Sequence, residues 1–242
     1  SAASDVYKRQ VPKNTLDKNN FSADANFKYY NVNGKAASTE GVDVSDYNGT
    51  IDWKKVKDSG IDFAMIRIGG RGYGTEGTLY QDENAIKNIT EAKDNGIKVG
   101  VYFFSQAINT DEAIEEANYV KDILGDIKLD YPVAYDWEIV KDDDARTDNV
   151  SAYEATECAR AFCQTVESNG YTASIYSPSR ELYFKYDLSR LKDYDIWYCE
   201  YSDTPEFYYQ FSMWQYTTAG KVDGIEGEVD LNICFTGIAD YA

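Results

Sequence analysis

From Gly41 onward, short runs rich in β-branched and aromatic residues alternate with segments of helical period, and this alternation constrains the fold more tightly than any other feature of the chain. Strand-like runs fall at residues 41–45, 62–68, 97–104, 132–140, 172–176, 194–201, 211–217 and 228–233. Helical segments at 51–59, 82–95 and 111–124 separate the first of them, stopped in turn by Gly60, Gly96 and Gly125. Ser151-Ala152-Tyr153-Glu154 has the spacing of a capping box. It opens a fourth helix whose Ala155, Cys158, Ala159, Phe162, Cys163 and Val166 recur at i, i+3 and i+4, ended by Gly170. Later connections are shorter and poorer in helix. Strands alternating with helices predict a parallel sheet with helices outside it, and eight strands predict closure into one barrel. No internal repeat and no second domain is visible, so residues 39–242 read as a single α/β domain. Residues 11–38 are polar with little apolar periodicity, and 1–38 is expected to be a disordered or extended tail. Residues 1–10 lack the apolar stretch of a secretion leader, read poorly as native protein, and are set aside from the fold.

The side-chain inventory excludes whole classes of chemistry. The chain has no His, which removes Ser-His-Asp triads, Cys-His pairs and imidazole zinc sites. It carries 24 Lys and Arg against 42 Asp and Glu, a formal charge of −18. That balance argues against nucleic acid and against an anionic membrane surface as partners. No run approaches the ~18 apolar residues of a membrane span.

What remains is carboxylate chemistry. Asp136-Trp137-Glu138 lies at the end of the fourth strand, flanked by apolar Val133, Ala134, Ile139 and Val140. Residues i and i+2 of a strand share a face, so both carboxyls project together from Cα atoms ~6.5–7 Å apart. Two like charges buried that close raise the pKa of one of them. The result is one protonated acid beside one carboxylate, the pairing that glycosidic cleavage requires. Asp43 lies in the first strand and Asp230 in the last. In a closed barrel those strands are neighbours, so Asp43, Asp136, Glu138 and Asp230 are expected at one mouth, where barrel enzymes carry their active sites.

At this point the chain resembles a known family. The segments GVDVSDYNGTIDWKKVKDSGIDFAMIRIG, GVYFFSQA, EAIEEANYVKDIL, YPVAYDWE and WQYTTAGKVDGIEGEVDLN, in order over residues 41–236, are similar to glycoside hydrolase family 25, the N-acetylmuramidase-type lysozymes. The resemblance implies an irregular single-domain β/α barrel with eight strands and fewer than eight helices. It implies a secreted hydrolase cutting the β-1,4 bond between N-acetylmuramic acid and N-acetylglucosamine in peptidoglycan, with no cofactor and no metal. By position it makes Glu138 the general acid. Asp136 would support the developing positive charge or orient the 2-acetamido group, while Asp43 and Asp230 would tune Glu138 and hold sugar or water. Retention through the acetamido group is favoured, since no separate carboxylate is placed as nucleophile. One departure stands out: many members carry a His near the end of the third strand, where this chain has Phe103-Phe104-Ser105.

Aromatic residues make up 15% of the chain, enough to furnish sugar platforms near strand ends: Tyr176, Trp197, Tyr198, Trp214 and Tyr216. Tyr176 and Trp214 are the preferred substrate-binding pair, because both lie toward strand C-termini. The partner expected is a peptidoglycan glycan strand met by a monomer. Two other readings compete: a chitinase, whose D-x-x-D-x-D-x-E would need acids at Tyr131 and Ala134, and a barrel that binds wall glycan without cutting it. Gly69-Gly70-Arg71-Gly72-Tyr73-Gly74 lacks both the G-x-G-x-x-G run into a helix and a P-loop Lys, and is expected as a flexible loop at the mouth. Asp142-Asp143-Asp144 fails the EF-hand pattern and reads as a solvated acidic loop. Cys158 and Cys163 suit burial as free thiols. The spacing leaves a Cys199–Cys234 bridge open.

Overall fold

The computed structural model describes residues 10–241. All eight expected strands form: β4 (Ser38–Val44), β5 (Phe63–Arg71), β7 (Lys98–Ser105), β8 (Val133–Trp137), β9 (Ala173–Pro178), β10 (Asp195–Cys199), β11 (Met213–Gly220) and β12 (Val229–Phe235). They hydrogen-bond in the order β4-β12-β11-β10-β9-β8-β7-β5, and β4 pairs with β5 to close the barrel. Three short strands precede it, β1 (Phe21–Ala23), β2 (Lys28–Val32) and β3 (Lys35–Ala36), and β6 (Leu79–Gln81) lies antiparallel on β5.

Five α-helices are present among the described residues: α1 (Trp53–Asp58), α2 (Ala85–Asp94), α3 (Thr110–Leu124), α4 (Ala152–Ser168) and α5 (Ser179–Phe184). The Asn109 side chain caps α3 by accepting from Glu112 N, and Ser151 with Glu154 forms the capping box of α4. The α4 stripe read from the sequence is the stripe it buries. α5, as short as α1 at six residues, left no signature because it has neither a side-chain cap nor a glycine stop.

The barrel is not wholly parallel. Pairs from β4 through β5, β7, β8, β9, β10 and β11 run parallel, but β12 is antiparallel to both of its neighbours. The cause is the β11–β12 connection, which spans only residues 221–228 and turns at Gly224 (φ 98°) and Gly227 (φ 76°). A parallel return needs a crossover of a dozen residues or more. Asp230 therefore stands at the start of its strand, not the end, yet at the same rim as the other acids.

Two apolar layers hold the barrel. Phe63, Met65, Tyr131, Ala134, Trp197 and Met213 fill its interior, while a larger cluster lies between strands and helices. Gly41 and Gly100 face inward to admit those interior side chains. A Cβ on Gly41 would sit 2.3 Å from the Phe63 ring, and one on Gly100 would sit 2.6 Å from Met65 Sδ and from Pro132 O.

Residues 11–38 do not form a tail. Val11, Phe27 and Tyr30 are buried, and the β1–β3 sheet packs on the outside of β11 and β12. Phe21 meets Trp214 edge-on at 5.5 Å, and Tyr30 meets Phe235 at 5.3 Å. Strands of three, five and two residues are too short for periodicity to register, and a few aromatics suffice to bury them. Residues 1–9 of the expected tail lie outside the described residues. Beneath this sheet the Tyr216 hydroxyl donates to the Glu40 carboxylate and accepts from Lys28 N. Burial pushes Glu40 up to about 9.

Gly69–Arg71 is likewise ordered. It continues β5, paired with β6, and is no flexible loop. All four cysteines are free, so no Cys199–Cys234 bridge exists.

The inward glycines make a direct prediction. Gly100→Ala should lose about 1–3 kcal/mol of stability through overpacking against a backbone oxygen that cannot yield. Chemical denaturation measures it, and a loss below about 0.5 kcal/mol would contradict the packing described.

Candidate active site

Alternation along β4 points Val42 and Val44 into the outer core and Gly41 and Asp43 inward. Across the closing seam, Asp230 of β12 is in register with Asp43. Asp136 lies on β8, in register with Phe104 of β7 and Tyr176 of β9, and Glu138 follows one residue past the strand. The four predicted acids thus line one cavity of about 170 Å³, together with Tyr102, Tyr176, Trp197, Tyr201 and Gln215.

The pairing inside the cavity is specific. Asp43 Oδ2 accepts from Gln215 Nε2 at 2.7 Å and from Asn232 Nδ2 at 2.9 Å. Gln215 Nε2 also lies 3.5 Å from Asp230 Oδ2. Gln215 Oε1 in turn accepts from the hydroxyls of Tyr176 (2.8 Å) and Tyr201 (2.9 Å). Asn232 Oδ1 accepts from the Trp197 indole N–H at 2.7 Å. One glutamine and one asparagine therefore orient three aromatic rings and one carboxylate at once. Asp136 Oδ1 is buried without a hydrogen-bond partner.

No Lys or Arg lines this cavity, so protons must relieve its charge. Desolvation, reinforced by the negative charge of Glu138, holds Asp136 well above the ordinary carboxylate range. Desolvation also raises Glu138, opposed by its hydrogen bond with Asp136. Asp43 is raised by burial and by neighbouring Asp230. Burial raises Asp230 too, against the pull of its hydrogen bond with Asp43. The acids form two interacting pairs, and each pair keeps a proton at pH values where isolated carboxyls have lost theirs.

A groove of about 750 Å³ continues from this cavity and shares Tyr102, Asp136 and Glu138 with it. Its far wall carries Tyr47, which is 88% exposed, together with Tyr80 and Arg67. The Arg67 guanidinium lies 5.4 Å from the Tyr47 ring centroid and 5.8 Å from that of Tyr80. It is fixed by ion pairs to Asp46 at 2.6 Å and Asp82 at 2.9 Å. An exposed ring is thus held on a rigid mount. Ile139, Val140 and Lys141 form the opposite wall.

The aromatic expectations divide. Tyr176 lines the cavity as expected. Trp214 does not: it is fully buried, its indole N–H donates to Glu200 O at 2.8 Å, and its ring packs under Phe21. Alternation on β11 explains this, because Gln215 faces the acids and so Trp214 and Tyr216 face away. Trp197 takes the place assigned to Trp214, while Tyr198 lies in the outer core. Tyr102, Tyr201, Gln215, Arg67 and Tyr47 were not singled out from the sequence. Strand parity relative to Asp136 and Asp43 was the available signal for Tyr102 and Gln215. The same parity was available for Arg67, which follows Phe63 and Met65 on the inward face of β5, whereas Tyr47 lies in a turn and carried none. The 142–144 acids are exposed, as expected, and Asp143 accepts from the Tyr73 hydroxyl at 2.9 Å. Among the described residues no group of three or more His, Cys, Asp or Glu side chains is arranged to hold a metal ion.

The raised carboxyls tie stability to pH with a definite sign. A carboxyl whose folded pKa exceeds its unfolded value contributes stability that is complete below about pH 4 and is lost as pH rises through the folded value. Asp136→Asn should therefore be more stable than the parent at pH 8, by on the order of 1–2 kcal/mol. The gain should vanish near pH 4. Urea denaturation at both pH values measures it, and a variant less stable at pH 8 than at pH 4, relative to the parent, would refute the electrostatics above.

Comparison with known proteins agrees with this geometry. The sequence profile described as glycosyl hydrolases family 25 matches residues 42–225. An autolytic lysozyme of Clostridium acetobutylicum is 27% identical over 201 residues, covering 82% of this chain and 56% of that protein. The modular autolysin LytC of Streptococcus pneumoniae, solved in complex with a synthetic peptidoglycan ligand, superposes with a TM-score of 0.71 at 27% identity, covering 89% of this chain and 52% of LytC. The chain thus spans little more than half the length of these two relatives. A family 25 glycosyl hydrolase from Bacillus anthracis shares the fold at 21% identity, with a TM-score of 0.69 over 89% of this chain and 95% of that one. With its barrel and its profile match over most of the domain, the chain belongs to glycosyl hydrolases family 25.

Proposed function

We propose that this protein is a secreted peptidoglycan hydrolase that cleaves the β-1,4 bond between N-acetylmuramic acid and N-acetylglucosamine. The observation that carries the proposal is the meeting of four carboxyls, Asp43 and Asp136 buried and Glu138 and Asp230 half-buried, in one cavity that adjoins a groove. The relatives' descriptions as an autolytic lysozyme and an autolysin crystallised with a peptidoglycan ligand support the choice of polymer.

The chemistry follows from the acid pair. With the cleft empty, burial favours the shared proton on Asp136, the deeper group. A bound 2-acetamido group offers an N–H that an ionised Asp136 accepts more strongly than a protonated one. Substrate binding therefore moves the proton to Glu138, which faces the groove. Glu138 then protonates the leaving glycosidic oxygen as the general acid. Asp136 holds the acetamido group so that its carbonyl oxygen attacks C1, and its negative charge offsets the charge that spreads over the ring. With the substrate's own acetamido oxygen as nucleophile and Asp136 holding that group, no water has to enter between the two carboxyls in the first step. Net retention is the outcome this arrangement supports. Asp43, held by Gln215 and Asn232, and Asp230 keep the far side of the site polar and bind a sugar hydroxyl or the water that opens the intermediate. Tyr176 and Trp197 bound the reacting sugar, and Tyr47 on its Arg67 mount offers a stacking face for its neighbour along the strand.

Glu138→Gln should lower the release of reducing ends from purified peptidoglycan by about 100- to 10,000-fold. Equal clearing by the variant would overturn the assignment of the acid, and wall binding by wild type without new reducing ends would favour a binding barrel. The formal charge of −18 repels anionic wall polymers, and salt shortens that repulsion to about 10 Å at 0.1 M. Wall clearing should rise between low and moderate salt; a turbidity assay showing a steady fall would contradict it.

A further inference from the structure

We propose that Gln106 is a positioning residue that holds the backbone of Glu138, and so sets where the proton is delivered. This rests on the role proposed above for Glu138. The β7–β8 ladder ends at the Ser105–Trp137 pair. Glu138 is the first residue beyond it, so no strand bond fixes its carbonyl. The Gln106 side chain supplies the missing bond: its Nε2 donates to Glu138 O at 3.2 Å and to Ser105 O at 3.0 Å. Carbonyl oxygens only accept, so this edge of the amide must be the nitrogen. The other edge, Oε1, accepts from the Thr147 hydroxyl at 3.0 Å. Gln106 is fully buried and Thr147 nearly so. These contacts form in a dry environment, where loss of one is not made good by water.

The base of this clamp is itself pinned. Ser105 Oγ donates to Glu116 at 2.5 Å and accepts from Ala107 N at 3.1 Å, while Glu116 is paired with Arg71 at 2.8 Å. On the other side, Arg146 donates to Gln106 O at 2.7 Å and spans both oxygens of Glu112 at 2.8 and 2.9 Å. The segment 139–147, whose Ile139, Val140 and Lys141 wall the groove, is therefore tied at both ends to one glutamine: through Glu138 O at its start and through Arg146 and Thr147 at its finish. Gln106 touches no groove surface and lines neither cavity nor groove. Its effect reaches the sugar only through Glu138 and this wall. Misplacement of a reacting group by about 1 Å is enough to cost orders of magnitude in rate, which gives a buried amide with no substrate contact a kinetic role.

The test uses the whole chain and soluble, uncross-linked wall glycan as substrate. Gln106→Met keeps the volume and deletes the donors; it should lower kcat by about tenfold or more and leave KM within about twofold. Gln106→Glu keeps the shape but can donate to Glu138 O only when protonated. Its kcat, taken as a ratio to wild type, should therefore recover as pH falls, whereas the ratio for Gln106→Met stays flat. Thr147→Val, which frees one edge of the amide without touching Glu138, should give a smaller fall in kcat, and it reports on the clamp if either glutamine variant fails to fold. Circular dichroism melts identify folded variants. Wild-type kcat in folded Gln106→Met, or a loss lying in KM with a flat ratio for Gln106→Glu, would overturn the proposal. An inactive wild type would instead overturn the reading of the site on which it rests.

Discussion

The rest of the molecule depends on holding four carboxyls together in one cavity, Asp43 and Asp136 buried and Glu138 and Asp230 half-buried. Each would be ionised in the unfolded chain, and the fold must hold them where ionisation is suppressed. It does so without a cation in the cavity lining. The acids are set in two pairs on opposite sides of the cavity, Asp136 with Glu138 along one strand end and Asp43 with Asp230 across a seam between strands. Within each pair, burial and the neighbouring negative charge disfavour ionisation of both members at once. The polar side chains that remain, Gln215 and Asn232, donate to Asp43 alone among the strongly raised pair members at normal bond length. That asymmetry leaves Asp136 Oδ1 unsatisfied, a buried acceptor waiting on a donor such as an amide N–H.

The direction of the last strand makes that arrangement possible. Had β12 run parallel like the others, the residue in register with Asp43 would have belonged to the end of the strand, near Phe235, and Asp230 would have lain at the opposite rim. The short 221–228 connection reverses the strand and brings Asp230 to the mouth. The same reversal sends Phe235 to the outer layer beneath the β1–β3 sheet, where Tyr30, Phe21 and Phe211 pack on it. The small N-terminal sheet therefore covers the outer face of β11 and β12. The chain spends aromatic side chains there where other strands receive an amphipathic helix.

The barrel was legible because its signals are repetitive. Each strand run was long enough to show a β-rich apolar texture, and each of the first four helices carried a stripe, a glycine stop or a capping box. The acids were legible through parity alone: Asp136 and Glu138 two apart, and Asp43 and Asp230 on strands that must meet in a closed ring. What escaped had no local period. Strands β1–β3 are too short to imprint one, and helix α5 has neither a side-chain cap nor a glycine stop. Arg71 looked like part of a glycine-rich loop because its reason to be ordered, a buried pairing with Glu116 and a second with the exposed Glu115, comes from a helix more than forty residues away. Trp214 was misplaced for a different reason: position near a strand end was used where parity should have decided. Gln215, its neighbour, faces the acids, and no residue adjacent to it on the strand can do the same.

These two kinds of order serve different ends. The parity-driven part places Cα atoms of the acids to within the spacing of a strand, which suffices to create paired carboxyls with raised pKa values. It does not suffice to aim a proton, because Glu138 lies just past the ladder, where strand geometry no longer constrains it. In the proposed mechanism the aim comes from contacts distant in sequence: Gln106 just past β7, Thr147 and Arg146 from the segment after Glu138, and beneath them the buried ion pair of Arg71 with Glu116. Buried ion pairs are poor sources of net stability against apolar packing, and this one lies directly under the corner that carries Ser105 and Gln106. Its placement makes sense as a device for rigidity at that corner. A barrel optimised for stability alone would replace the buried Arg71, Glu116 and Asp136 with apolar side chains, and would lose both the raised carboxyl and the rigid corner on which the proposed proton delivery rests.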